Sequence, residues 1–222
     1  MIKMVVFDMA GTTVDENNIV YKTLQKVINK RGFDFSLDQV LEHGAGKEKS
    51  VAIKDIIASG GIELDEDELN NLYSTFVLEL AVAYDSFDIK PQPGAESLFR
   101  SLKEKNILTV LNTGYNETTA ISILQKLGWR PGKQIDALIT ASDVRNNRPN
   151  PDMILLAMQH FNIEDAGEVV KVGDSAIDIE EGKNAGCSLS IGITTGAHTY
   201  EQLAAANPDR IINHLSELLP LI

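Results

Sequence analysis

Four short apolar runs in this chain each break off into polar residues of the same kind, and this repeated pattern restricts the possible folds more than any other feature. Met4-Val5-Val6-Phe7 runs into Asp8-Met9-Ala10-Gly11-Thr12-Thr13, and Ile107-Leu108-Thr109-Val110-Leu111 into Asn112-Thr113-Gly114-Tyr115. Ala137-Leu138-Ile139-Thr140 leads through Ala141-Ser142-Asp143 to Asn147-Arg148-Pro149-Asn150-Pro151. Val169-Val170-Lys171-Val172 ends in Gly173-Asp174-Ser175-Ala176-Ile177-Asp178. Short apolar runs bounded by turn residues read as buried strands. In a parallel sheet the C-terminal strand ends are where ligands bind, so the four polar segments are expected to converge on one sheet edge.

Helical patterns fill the intervals. Residues 17–32 carry one, closed by Lys30, Arg31 and Gly32. Residues 36–84 are rich in helix formers, and from Asp65 onward Leu69, Leu72, Tyr73, Phe76 and Leu80 share a face. The acidic run Asp65-Glu66-Asp67-Glu68 suits the positive end of that helix and is given no binding role. After the Lys90-Pro91-Gln92-Pro93-Gly94 punctuation the alternation becomes regular, with helices over 95–102, 116–128, 151–161 and 176–185 and strands over 107–111, 137–140, 168–172 and 188–193. The expected fold is α/β: a Rossmann-like parallel sheet with helices on both faces. An all-helical cap (17–87) interrupts a core made of 1–16 and 88–222.

The chain carries 20 basic and 32 acidic side chains, a formal net charge of −12. That balance disfavours a nucleic-acid partner and requires any bound phosphate to be held by local donors or a cation. No apolar run approaches a membrane span, so no membrane partner is expected. One cysteine, Cys187, allows no intrachain disulfide and suits a reducing cytoplasm. Oligomeric state stays open, with a homodimer among the outcomes.

Asp174 and Asp178 lie four apart at a helix start, so one turn aims both carboxylates at a common cation. With Asp8 they form the hard oxygen set that magnesium prefers. Asn112, Thr113 and the Gly114 amide are donors suited to phosphoryl oxygens, and Arg148 supplies a fork-shaped cation. Each has a plainer reading: Asp174 and Asp178 as a cap and a first-turn acid, Arg148 as a solvated residue in an exposed Asn- and Pro-rich turn. Together they point to phosphoryl transfer. Gly11 and Thr12 join the phosphate-binding set, and Tyr115, following the phosphate loop, is placed to close over a substrate. His160, His198 and His214 receive no role.

These residues resemble the motifs of the haloacid dehalogenase superfamily: Asp8 to Thr12, Asn112-Thr113-Gly114, Arg148-Pro149, and Gly173-Asp174 to Asp178. The resemblance implies that Asp8 is a nucleophile that becomes phosphorylated. It also implies that Mg2+ is held by Asp8, the Ala10 carbonyl and Asp174, with Asp178 in support. Ala10 stands where many members carry a general acid, and Arg148 where many carry a lysine; both changes resemble the phosphonatase branch. That branch has a cap Gly-x-x-Lys whose lysine forms a Schiff base with a substrate aldehyde, and Gly44-Ala45-Gly46-Lys47 matches its spacing. Ser50 replaces a histidine of that branch and His43 a methionine, which makes His43 a candidate proton shuttle.

The leading expectation is a Mg2+-dependent hydrolase of a small phosphonate such as phosphonoacetaldehyde, with Lys47 as the Schiff-base amine. The alternatives are a small-molecule phosphomonoesterase and a phosphate-binding relic without catalysis. A receiver-like signalling domain also carries an acceptor Asp on a parallel sheet, but the inserted cap and all four motifs stand against it.

Overall fold

The structure is a computed structural model describing residues 1–222. Six parallel strands form the central sheet: β1 (Met4–Phe7), β4 (Leu108–Thr113), β5 (Ala137–Thr140), β6 (Val169–Gly173), β7 (Leu189–Ile193) and β8 (Arg210–Ile212). Their spatial order is β5-β4-β1-β6-β7-β8. β1 therefore sits at the centre, with Phe7 beside Leu111 on one flank and Val172 on the other. Alternation along β1 separates two cores: Val5 and Phe7 join the larger apolar cluster, Met4 and Val6 the smaller one. A strand buried on both faces has to be apolar throughout, which is why β1 carries no charge until it ends.

Helices α5 (Ala95–Glu104), α6 (Glu117–Leu127), α7 (Asp152–His160), α8 (Ala176–Ala185) and α9 (Tyr200–Ala205) cover the sheet. Helix α6 begins where expected because the Asn116 side chain accepts from the Thr119 amide at 2.9 Å, and it ends on left-handed Gly128. β8 and α9 extend the sheet past residue 193, further than the sequence pattern carried it. β8 has three residues, only one of them buried, so no apolar run announces it.

Four helices lie between β1 and α5: α1 (Ile19–Asn29), α2 (Leu37–Gly44), α3 (Lys49–Ser59) and α4 (Glu66–Ser86). α1 is shorter than the 17–32 pattern because Asn17 and Asn18 hold left-handed backbone, with φ of 51° and 55°. α4 buries Leu72, Phe76, Leu80 and Tyr84. The chain leaves and re-enters the sheet domain through an antiparallel pair, β2 (Val14–Asp15) against β3 (Lys90–Pro91). The larger apolar cluster runs without a break from the sheet into these helices, so the helical layer is seated on the strand ends.

Asp65 accepts from the Glu68 amide at 2.8 Å while the Glu68 carboxylate accepts from the Asp65 amide at 3.2 Å. Asp65→Ala removes this exposed capping box alone. It is expected to cost about 1 kcal/mol, read as a lower urea-unfolding midpoint with an unchanged slope.

Candidate active site

Asp8 is the first residue beyond β1, and its amide still donates to Val172 of β6 at 2.9 Å. The chain then turns sharply, with the Met9 carbonyl accepting from the amides of Thr12, Thr13 and Val14. Gly11 holds φ +82°, and a Cβ there would collide with the Asp174 carboxylate, so both the turn and the close approach require glycine. Thr13 Oγ1 donates to the Asp8 carbonyl at 2.9 Å and Thr12 Oγ1 to Asp174 Oδ1 at 3.1 Å. Thr12 thus orients a carboxylate.

Arg148 joins the strand ends. Its Nη1 donates to Asp8 Oδ1 at 2.7 Å and lies 3.0 Å from Asp178 Oδ1. Nε donates to Glu181 Oε2 at 2.9 Å, and Nη2 to the Asn112 carbonyl at 2.9 Å and to Asn112 Oδ1 at 2.6 Å. Lys171 sits beneath, its Nζ 2.7 Å from Asn112 Oδ1, 3.0 Å from Asp178 Oδ1 and 3.2 Å from Glu181 Oε2. Arg148 is only 5 % exposed, which corrects the expectation of a solvated turn: three carboxylates draw the guanidinium inward. Asn112 is corrected too. Its Nδ2 is spent on Glu181 at 2.9 and 3.0 Å and its oxygen on the two cations, leaving no donor for a phosphoryl group.

Asp8, Asp174 and Asp178 are buried, each offering a ligand atom within 4.8 Å of the others. Burial, then the neighbouring Asp8 and Asp178 charges, pushes the Asp174 carboxyl well above its usual range. Burial and Asp178 likewise raise Asp8, against Arg148 and Lys171. Burial also works to raise Asp178, but Arg148 and Lys171 outweigh it and hold that carboxyl below its ordinary value. Of the four buried carboxylates Asp8, Asp174, Asp178 and Glu181, the two cations in ion-pair contact, Arg148 and Lys171, reach three and leave Asp174 without one. A divalent cation fills that shortfall, and three carboxylate oxygens suit magnesium. In the 8–13 turn the carbonyls of Asp8, Met9 and Gly11 all accept hydrogen bonds, whereas that of Ala10 accepts none. The residues fit Mg2+.

A family model described as haloacid dehalogenase-like hydrolase matches residues 5–191. The chain belongs to the haloacid dehalogenase-like hydrolases. It is 28% identical to a phosphonoacetaldehyde hydrolase from Latilactobacillus sakei, over 98% of this chain and 93% of that protein. A protein of the same name from Lactiplantibacillus plantarum is 30% identical, over 89% of this chain and 77% of its own length. The solved structure of a phosphonoacetaldehyde hydrolase-like protein from Oleispira antarctica has a TM-score of 0.85 at 20% identity, covering 99% of this chain and 91% of that one.

In this haloacid dehalogenase-like hydrolase the remaining expected residues divide. Thr113 Oγ1 accepts from the Tyr115 amide at 3.2 Å and keeps its own proton to give. At Gly114 a Cβ would meet the Lys47 carbonyl at 2.6 Å, so glycine lets the loop between α2 and α3 approach. Tyr115 is buried, its hydroxyl 2.6 Å from that of Tyr84. His43 is half-buried in the last turn of α2. Lys47 turns its amine to Asp55, at 2.5 Å, with a quarter of its side chain exposed. Beside it a cleft of about 400 Å³ lies between helices α2 and α3 and the Arg148 loop.

Lys171, Glu181, Lys49 and Glu16 are buried beyond what the motifs announced. A lysine inside the Val169–Val172 run, and an acid one turn past Asp178 on the buried face of α8, were the available signals. Glu16 Oε2 accepts from the Val20 amide at 2.9 Å and from the Tyr84 hydroxyl at 3.0 Å, and burial pushes its carboxyl up to about 7.

Two outcomes follow from these buried charges. Arg148→Met strands three carboxylates and is expected to cost about 3–5 kcal/mol in urea unfolding; Arg148→Lys keeps a charge, loses the fork, and should cost less. The folded state holds the Glu16 proton to about pH 7 and the unfolded state releases it near 4.5, so this group's contribution to stability falls as pH rises through that window. Glu16→Gln is expected to flatten the fall, measured as unfolding free energy at pH 5 and pH 7.5.

Proposed function

We propose that this hydrolase forms an aspartyl-phosphate on Asp8 and acts on a small phosphonate or phosphate monoester. The reading rests chiefly on one observation: Asp8 is the residue onto which the Arg148 fork and the Asp174–Asp178 carboxylates converge, with Oδ1 held by Arg148 and Oδ2 left without a hydrogen-bond partner. A pinned carboxylate with one oxygen free is suited to in-line attack on phosphorus. Arg148 Nη1 steadies that oxygen and neutralises charge beside it, while Thr113 Oγ1 and the amides around Gly114 are the donors for phosphoryl oxygens. Asp8, the Ala10 carbonyl, Asp174 and Asp178 are the residues that would hold Mg2+, which when bound supplies Lewis-acid polarisation of the phosphoryl group. Residues 1–16 and 88–222 form the core in this reading and 17–87 the cap, with the β2–β3 pair as the link that flexes to admit substrate.

Phosphonoacetaldehyde is the first substrate to try, because both curated relatives carry that name over most of this chain. On that substrate Lys47 is the proposed imine-forming amine, and it has to leave Asp55 to react. The phosphomonoester reading is favoured by a different observation: Lys47 is already paired on the rim.

Asp8→Asn is expected to abolish phosphate release, by at least about 10³-fold, in a protein whose circular dichroism is unchanged; turnover close to wild type sinks the reading. Excess chelator should stop the reaction and added Mg2+ restore it. Phosphate release from phosphonoacetaldehyde and from a panel of small phosphate monoesters separates the two substrate classes. Borohydride added with phosphonoacetaldehyde should leave a mass adduct on Lys47 if the imine forms there.

A further inference from the structure

Cleaving a phosphate monoester leaves an alkoxide that needs a proton, and Ala10 has none to give. The other groups around Asp8 are committed or, like the Thr113 hydroxyl, too weakly acidic to give up and regain a proton near neutrality. Thr12 and Thr13 hydroxyls donate to Asp174 and to the Asp8 carbonyl. Arg148 does not release protons at these pH values, and Lys171 is held by Asn112, Asp178 and Glu181. Tyr21 accepts from the Gly46 amide at 3.0 Å and keeps its own proton, but burial holds that phenol well above 10, and the Tyr84 and Tyr115 hydroxyls bind one another. Glu16 is tied to the Val20 amide and to Tyr84.

Lys49 is different. It is the first residue of α3 and lies on that helix's apolar face with Ala52, Ile53, Ile56 and Ile57, all buried. Its own exposure is 5 %. Nζ donates to the Lys47 carbonyl at 2.7 Å and sits 5.5 Å from the Tyr21 ring centroid and 5.3 Å from that of Tyr115. It is a buried ammonium with one hydrogen bond, two aromatic faces and no carboxylate in ion-pair contact. The aromatic walls are themselves pinned, Tyr21 by the Gly46 amide and Tyr115 through Tyr84 to Glu16.

We propose that Lys49 is the proton carrier of the site, serving a small phosphate monoester with an alkoxide leaving group; this rests on the aspartyl-phosphate reading above. In the first half-reaction an Asp8 oxygen bonds to phosphorus, the ester P–O bond breaks, and the departing oxygen takes a proton from Lys49 Nζ. In the second, water bonds to phosphorus and its proton passes to the neutral Lys49 amine. The bond from phosphorus to Asp8 breaks, and phosphate, Asp8 carboxylate and the Lys49 ammonium are regenerated. The electrostatics agree: burial lowers the Lys49 ammonium to about 8, opposed by Asp8, Glu48 and Glu16 and assisted by Arg148, so the group can both give and regain a proton near neutrality. Tyr21 and Tyr115 face it as neutral phenols, both held well above 10 by burial.

The test compares wild type, Lys49→Met and the exposed control Lys54→Met on 2-phosphoglycolate and on p-nitrophenyl phosphate, whose leaving group needs no proton. Lys49→Met is expected to lower kcat/KM, which reports the first half-reaction alone, on the alkyl ester by about 10²-fold or more, to lower it on the aryl ester by less than about tenfold, and to erase the fall in kcat/KM above about pH 8. Lys54→Met should match wild type. Equal losses on both esters, or a basic limb that survives in Lys49→Met, overturn the proposal. If Lys49→Met does not fold, wild type decides: the limb must appear with the alkyl ester and be absent with the aryl ester, and the same limb on both refutes the role. If wild type cleaves phosphonoacetaldehyde but neither ester, this proposal falls while the Asp8 reading stands. Inactivity on all three overturns both.

Discussion

The guanidinium of Arg148 is the contact on which the site depends. From a loop beyond β5 it reaches Asp8 beyond β1, Asn112 in β4, and Asp178 and Glu181 in α8. Backbone register aligns the strand ends, and one five-donor fork then ties their side chains together. Lysine has three donors on a single atom and cannot span the same set. The arginine therefore sets the orientation of Asp8 and the spacing of the surrounding carboxylates in one act.

Such a lattice of buried charge is a weak source of stability, since taking ions out of water offsets most of their mutual attraction. Its value lies in preorganisation. Arg148 and Lys171 hold the Asp178 carboxyl below its ordinary value, while burial and then two like charges push Asp174 toward the protonated form. A cation bound there would relieve that crowding, and the three carboxylates are already grouped for one.

The helical layer meets this edge through backbone. Gly114 approaches the Lys47 carbonyl, Gly46 packs where a side chain would strike Ser175, and Lys126 Nζ donates to the Tyr84 carbonyl at 2.6 Å. His198 links the two parts as well: its Nε2 lies 3.4 Å from the Leu41 carbonyl of α2, while Nδ1 accepts from the Ala176 amide of α8 at 3.0 Å. With the layer seated in this way, Asp8 is 5 % exposed. Shielding strengthens every electrostatic interaction inside.

By itself the sequence determined the α/β alternation, the four polar strand ends and the grouping of Asp8, Asp174 and Asp178 at one edge. Those follow from local rules: a strand buried on both faces must be apolar until it ends, and a carboxylate at its C-terminal end must face the ligand edge. Tertiary structure decided which way each remaining side chain turned. Asn112 looked like a phosphate donor, but the pull of Glu181, Arg148 and Lys171 turned it beneath the site. Arg148 was legible as a site cation, but only folding supplied its three carboxylate partners and buried it. Motif spacing singled out Lys47, whereas the start of α3 at Lys49 sets the helical phase and rotates Lys49 inward with the apolar residues while Lys47 stays on the rim. Spacing along the chain records which residues are near each other; orientation depends on helix phase and on charges brought from elsewhere, and these exist only once the chain has folded.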